Sequence, residues 1–197
     1  MTVPDRLRLP VAFDVIPLVR EVIDLPPAAW VPHFNQAIYE GDWSGVALRS
    51  VGGRASNLYP DPTATGEFAD TDVLRSCPQL AGALARFRCP LTAARLLALG
   101  PGAIIKEHRD HCLGYEDGEV RIHVPIITDS AHEFVLDGQV VELRTGECWY
   151  LNVNRPHRAA NRSTTRRVHL VIDCVVDDWL REVFSHASST LAAGGVL

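Results

Sequence analysis

The sequence has no CxxC pair, and its five cysteines (Cys77, Cys89, Cys112, Cys148 and Cys174) are an odd number. That argues against a disulfide framework and against a cysteine-built zinc cage, so free thiols are expected. Cys148 and Cys174 lie within apolar stretches and read as small core residues. No stretch approaches the ~20 consecutive apolar residues of a membrane helix. The first residues, MTVPDRLRLPVAFDV, show no basic segment leading into an apolar one. A cytoplasmic location and no membrane partner are the expectation. The 19 basic residues are scattered among 24 acidic ones, for a net charge of −5, which leaves no footprint for nucleic acid. Internal repeats and low-complexity runs are also absent.

What is present reads as one globular domain. The chain has 197 residues, 47% hydrophobic and 22% charged, enough to bury a core and close to the usual size of a single domain. Residues 1–91 read as a helical and loop portion. Pro26 and Pro27 open a helix predicted over 28–40 despite Pro32. The glycines and prolines of 51–70 predict a long irregular loop over a site. Within 71–87, Val73, Cys77, Leu80, Leu84 and Phe87 recur at helical spacing, with Pro78 either breaking that helix or marking its start.

From about residue 92 the pattern changes to short strands and turns, predicting a β-barrel core over 92–176. ARLLAL is one strand candidate. Val120, Ile122, Val124 and Ile126 alternate with Arg121 and His123, giving a strand with one apolar and one polar face. Asp137-Gly138 tolerates positive φ and suits a two-residue hairpin turn. CWYLNV and RVHLVIDCVV supply further strands, and residues 177–197 read as a short helix, capped by Asp177 or Asp178, with a tail. About six short strands with flanking helices predict a mainly β fold, a jelly-roll or cupin-like barrel.

His108 and Asp110 stand two residues apart, so in an extended segment both side chains face one way. His157, in NRPHRAAN, can return beside them on a later strand. Two histidines and one carboxylate on one face leave coordination positions open, which suits non-haem iron(II) and dioxygen. An HxD pair alone is common by chance. Arg167 strengthens it: with His169, Val171 and Asp173 it shares one face of a strand whose other face is Val168, Leu170, Ile172 and Cys174. An inward guanidinium fork binds a carboxylate bidentately, as 2-oxoglutarate would require.

The ordered set PGAIIKEHRD, EVRIHVPI, GECWYLNVNRPHRAAN and RRVHLVID, over roughly 92–175, resembles the aspartyl/asparaginyl β-hydroxylase family, which includes bacterial cis-proline hydroxylases. The resemblance implies a double-stranded β-helix, iron(II), 2-oxoglutarate and dioxygen, and hydroxylation of an amino-acid side chain on a small molecule or peptide. By position, His108 and His157 match the family's histidine ligands and Arg167 its 2-oxoglutarate arginine. His123 matches a histidine that helps bind the co-substrate, and Arg121 a basic position serving co-substrate or substrate. Two departures stand out. Asp110 supplies a carboxylate that the animal enzymes of the family lack, and Leu97 stands where they have a serine. Two rivals remain open at this stage, a cupin-like metalloenzyme that does not use 2-oxoglutarate and a non-catalytic ligand-binding barrel. Oligomeric state is open too. Arg49, Arg54, Asn57 and Tyr59 are weaker candidates for meeting a substrate carboxylate; Trp149 reads as core, and His111 and Cys112 as neighbours of the ligands.

Overall fold

The computed structural model describes residues 3–58 and 66–192. Two antiparallel sheets face one another. The larger contains β1 (Arg6–Ala12), β2 (Val31–Pro32), β4 (Trp43–Val51), β5 (Phe68–Asp70), β6 (Leu91–Leu99), β8 (Glu119–Ile127), β11 (Glu147–Leu151) and β13 (Arg167–Val175). Its order is β1-β11-β8-β13-β6-β4-β2, with β5 paired to β4. The smaller contains β3 (Tyr39–Glu40), β7 (Ile104–His108), β9 (His132–Leu136), β10 (Gln139–Val140) and β12 (His157–Asn161), in the order β10-β9-β12-β7-β3. The result is the double-sheet barrel expected.

Alternation in the central strands decides where the core sits. Val168, Leu170, Ile172 and Cys174 of β13 point outward with Val120, Ile122, Val124 and Ile126 of β8, and all are buried. They are covered by α1 (Val15–Asp24), α2 (Asp72–Arg75), α3 (Pro78–Leu84) and α4 (Asp178–Ala192). A second apolar cluster, including Trp43, Leu99, Ile105, Phe134 and Leu151, lies between the sheets. Beside it the interior carries polar groups: Arg95, His123, Arg167, His169 and Asp173 are all buried. The main apolar core is thus outside the barrel, which frees the inner face of the large sheet for chemistry.

Several expectations are corrected. Residues 1–91 are not only helices and loops, since β1 and β4 are long members of the large sheet. The helix predicted over 28–40 is replaced by a 3-10 turn at Pro27–Ala29, β2, a second 3-10 turn at Gln36–Ile38, and β3. Pro32 lacks an N–H and keeps Val31 extended, and the Asn35 side chain accepts from the Ala37 N–H at 3.3 Å, diverting the backbone into a local turn. Of the loop expected over 51–70, residues 59–65 lie outside the described residues; on either side of them Gly52 and Gly53 turn the chain at positive φ, and β5 returns onto β4. Pro78 both ends one helix and opens the next, occupying the first turn of α3. Asp137 and Gly138 have φ of 48° and 73° and join β9 to β10 as the hairpin expected. The C-terminal helix runs further than expected, to Ala192, with the remaining tail outside the described residues. No helix among the described residues is long and apolar enough to cross a membrane.

Candidate metal centre

His108 ends β7 and His157 begins β12, and the two are direct cross-strand partners. Their rings stand 4.2 Å apart between centroids. Asp110 lies just beyond β7, where its N–H donates to the Val153 carbonyl at 2.9 Å. Ligand atoms of His108, Asp110 and His157 all fall within 4.8 Å of one another, with His108 Nε2 and Asp110 Oδ1 separated by 3.9 Å. Each histidine makes its Nδ1 contact with a backbone carbonyl, His108 with Lys106 at 2.8 Å and His157 with Arg155 at 3.0 Å. A carbonyl only accepts, so Nδ1 carries the proton and Nε2 keeps its lone pair for a metal. Burial and the neighbouring His108 lower the His157 pKa to about 4, which keeps its ring neutral. Two imidazole nitrogens and one carboxylate oxygen form a donor set that fits iron(II).

The three open into a cavity of about 420 Å³, lined also by His33, Trp43, Arg95, Leu97, Arg121, His123, Phe134 and Arg167. Arg167 is 5% exposed, and its Nε has no hydrogen-bond partner among the described residues. No carboxylate of those residues pairs with its guanidinium, and burial lowers its pKa to about 10. A buried, unpaired cation is a standing cost that an anionic ligand would offset. His123 lies in the same cavity, at 5.8 Å between centroids from His169, and the ring nitrogens of both have no hydrogen-bond partner among the described residues. Burial, then the nearby guanidiniums, hold both rings neutral, far below the usual histidine range.

Arg121 reaches the cavity but is engaged. Its Nε and Nη2 donate to the two oxygens of Asp173 at 2.8 and 3.0 Å, and its Nη1 donates to Asp110 Oδ2. Arg95 Nη2 donates to the same Asp173 carboxylate. Burial pushes the Asp173 carboxyl up, but the charges of Arg121 and then Arg95 outweigh it and hold the pKa at about 2.

His33 also lines the cavity, its ring stacked on Trp43 with centroids 3.7 Å apart. Its Nδ1 accepts from the Asn35 N–H, and burial followed by His108 lowers its pKa to about 4. His33, Arg95 and Asp173 were missed as site residues. A lone arginine in the apolar strand LTAARLLAL, and Asp173 on the same face as Arg167, were available signals; His33 lies in irregular chain with no periodicity to mark it.

The weaker candidates fall elsewhere. Arg49 is closed off by Asp70 at 2.7 Å and by the carbonyls of Leu91 and Phe68. Asn57 donates to the Val51 carbonyl, and Tyr59 lies outside the described residues. His111 and Cys112 are exposed and not among the grouped ligands. Trp149 packs partly against the inner apolar cluster and borders a second hollow of about 430 Å³ near β1 and β10, whose lining contains no histidine.

The aspartyl/asparaginyl β-hydroxylase family pattern matches residues 26–176. A relative, L-proline cis-4-hydroxylase of Rhizobium meliloti (strain 1021), is 26% identical over 166 residues, which cover 83% of this chain; the chain spans 58% of that relative's length. Among solved structures, a 2OG-Fe(II) oxygenase-family oxidoreductase from Burkholderia pseudomallei superposes with a TM-score of 0.55 at 14% identity, covering 86% of this chain and 84% of the other. A non-haem α-ketoglutarate-dependent epimerase of nogalamycin biosynthesis gives 0.54 at 14% identity, covering 87% and 78%. These two likenesses show the fold. With residues 26–176 under one family pattern, the chain belongs to the aspartyl/asparaginyl β-hydroxylase family, and that membership implies dependence on iron(II) and 2-oxoglutarate.

Proposed function

We propose that this protein is an iron(II)- and 2-oxoglutarate-dependent dioxygenase that hydroxylates an amino-acid side chain. His108, Asp110 and His157 are its iron ligands and Arg167 its co-substrate anchor. The observation that carries the reading is Arg167, a buried cation with no carboxylate partner among the described residues, opening on the same cavity as the three grouped ligands. A cupin-like metalloenzyme that makes no use of 2-oxoglutarate has no need of it.

Bound iron(II), with 2-oxoglutarate and dioxygen, supplies the oxidising chemistry, giving succinate, carbon dioxide and a hydroxyl on the substrate. The chain's own residues hold and orient. The carbonyls of Lys106 and Arg155 fix the tautomers and ring directions of His108 and His157. The fork of Arg167 would receive the far carboxylate of 2-oxoglutarate, and the neutral ring of His123 lines the same cavity without adding charge, with the neutral ring of His169 5.8 Å from it between centroids. Phe134 stacks beside His157 and limits water near the ligands. The proline hydroxylase among the relatives makes free amino acids the first substrates to screen, ahead of peptides.

The test is reconstitution without oxygen using iron(II) and 2-oxoglutarate, then addition of oxygen with a panel of amino acids and short peptides. Succinate release and a mass gain of one oxygen are the expected readouts, and His157→Ala should lose both iron and turnover. Iron-loaded protein that neither binds 2-oxoglutarate nor releases succinate with any member of the panel would overturn the assignment.

A further inference from the structure

We propose that Asp173 is a positioning residue for Asp110, acting through Arg121, and that this buried bridge sets which carboxylate oxygen of Asp110 faces the metal. The inference rests on the iron-site reading given above and extends it to residues on two other strands.

The bridge begins in strand register. Asp173 on β13 and Arg121 on β8 are direct cross-strand partners, both facing the barrel interior. Arg95 on β6 lies opposite Val171, two residues from Asp173 along β13, and approaches from the other side. Asp173 is 1% exposed, and its carboxylate accepts from both arginines. The fork of Arg121 is therefore used in two directions. One edge grips Asp173 in bidentate fashion, and the remaining nitrogen, Nη1, reaches Asp110 Oδ2.

A guanidinium is planar and rigid, so fixing one edge fixes the direction of the third nitrogen. Asp110 follows a strand end, has 30% of its side chain exposed, and has limited packing to hold it. With Oδ2 taken by Arg121, Oδ1 is left on the side of His108 Nε2, 3.9 Å away. The arrangement presents Asp110 as a one-oxygen ligand. It also places the positive charge of Arg121 behind that ligand. Fixed by Asp173, Arg121 cannot swing across the cavity and pair with Asp110 through both oxygens, which would close the metal position.

The experiment measures cobalt(II) binding and its visible spectrum in the full chain, as a probe of the coordination that is independent of turnover. Asp173→Asn should remain folded by circular dichroism, lose about tenfold or more in cobalt affinity, and shift the cobalt absorption bands. Because the effect passes through Asp110, Asp173→Asn should cost nothing further in an Asp110→Ala background, where two histidines alone hold the metal. An equal loss in both backgrounds would show a general structural effect and overturn the proposal, as would wild-type affinity and spectrum in Asp173→Asn. Should Asp173→Asn fail to fold, Arg121→Lys decides: a single ammonium nitrogen lacks the planar fork that grips Asp173 on one edge and aims a third nitrogen at Asp110. Wild-type affinity and spectrum in Arg121→Lys would overturn the bridge, and a tenfold loss absent from the Asp110→Ala background would support it. Failure of the wild type to bind cobalt(II) or iron(II) at His108, Asp110 and His157 would overturn the site reading and this proposal together.

Discussion

At the scale of single residues, Arg167 is a buried cation with no carboxylate partner among the described residues, a cost that a bound anion would offset. A charge-assisted fork contributes roughly 1.5–3 kcal/mol to carboxylate binding, and lysine supplies the charge without the bidentate geometry. Arg167→Lys is expected to raise the Michaelis constant for 2-oxoglutarate about tenfold for each ~1.4 kcal/mol lost, with iron affinity preserved. Steady-state kinetics with iron titrated in parallel checks this, and an unchanged constant removes Arg167 from the co-substrate site. That His108, Asp110 and His157 gather around one cavity with Arg167 was legible, because short spacing and strand alternation mark them. The partnership of Arg121 with Asp173 was not. It depends on which strands are neighbours and in what register, and the two partners stand 52 positions apart in the chain.

Elements were legible where one face is apolar and periodic. The alternation of β8 and β13 gave their burial correctly, and Asp137-Gly138 gave the hairpin. The segment 28–40 was not legible as it folds, since the prolines that suit a helix start are equally compatible with two 3-10 turns linked by edge strands. The cap of α4 is a test at this scale. Asp177 Oδ1 accepts from the Leu180 N–H at 2.9 Å, while its carbonyl accepts from the Arg181 N–H. That cap sets the start of a helix whose Leu180, Phe184 and Ala187 pack on the large sheet. Asp177→Ala should destabilise the protein by about 1 kcal/mol. Asp178→Ala, in the first turn but not the cap, should lose only a few tenths. Urea unfolding of the two variants separates them, and equal effects would place the cap elsewhere.

At the scale of the whole molecule, the apolar core is held against the helices so that the space between the sheets can carry charge and imidazole. That division has a consequence for stability in the metal-free protein. His123 and His169 are buried neutral, their pKa values pushed well below the usual 6.5 by burial first and by neighbouring guanidiniums next; His33, His132 and His157 are lowered as well. In the unfolded chain each titrates near 6.5. Between the two values the unfolded state binds a proton that the native state refuses, so the stabilisation is complete above about pH 6.5 and is lost as the pH falls towards the folded-state values. Each such histidine contributes a slope of about 1.4 kcal/mol per pH unit in that window. Asp173, held at about 2, adds its own loss only below about pH 4, so the two windows do not overlap near neutrality. The melting temperature of the metal-free protein should therefore fall as the pH is lowered from 7 to 5. His169→Asn lies away from the metal ligands and removes one titrating ring, so it should make that fall measurably shallower. A decline of unchanged steepness in His169→Asn would mean that His169 takes up its proton inside the folded barrel near pH 6, and the neutral interior argued for the co-substrate end of the cavity would have to be abandoned.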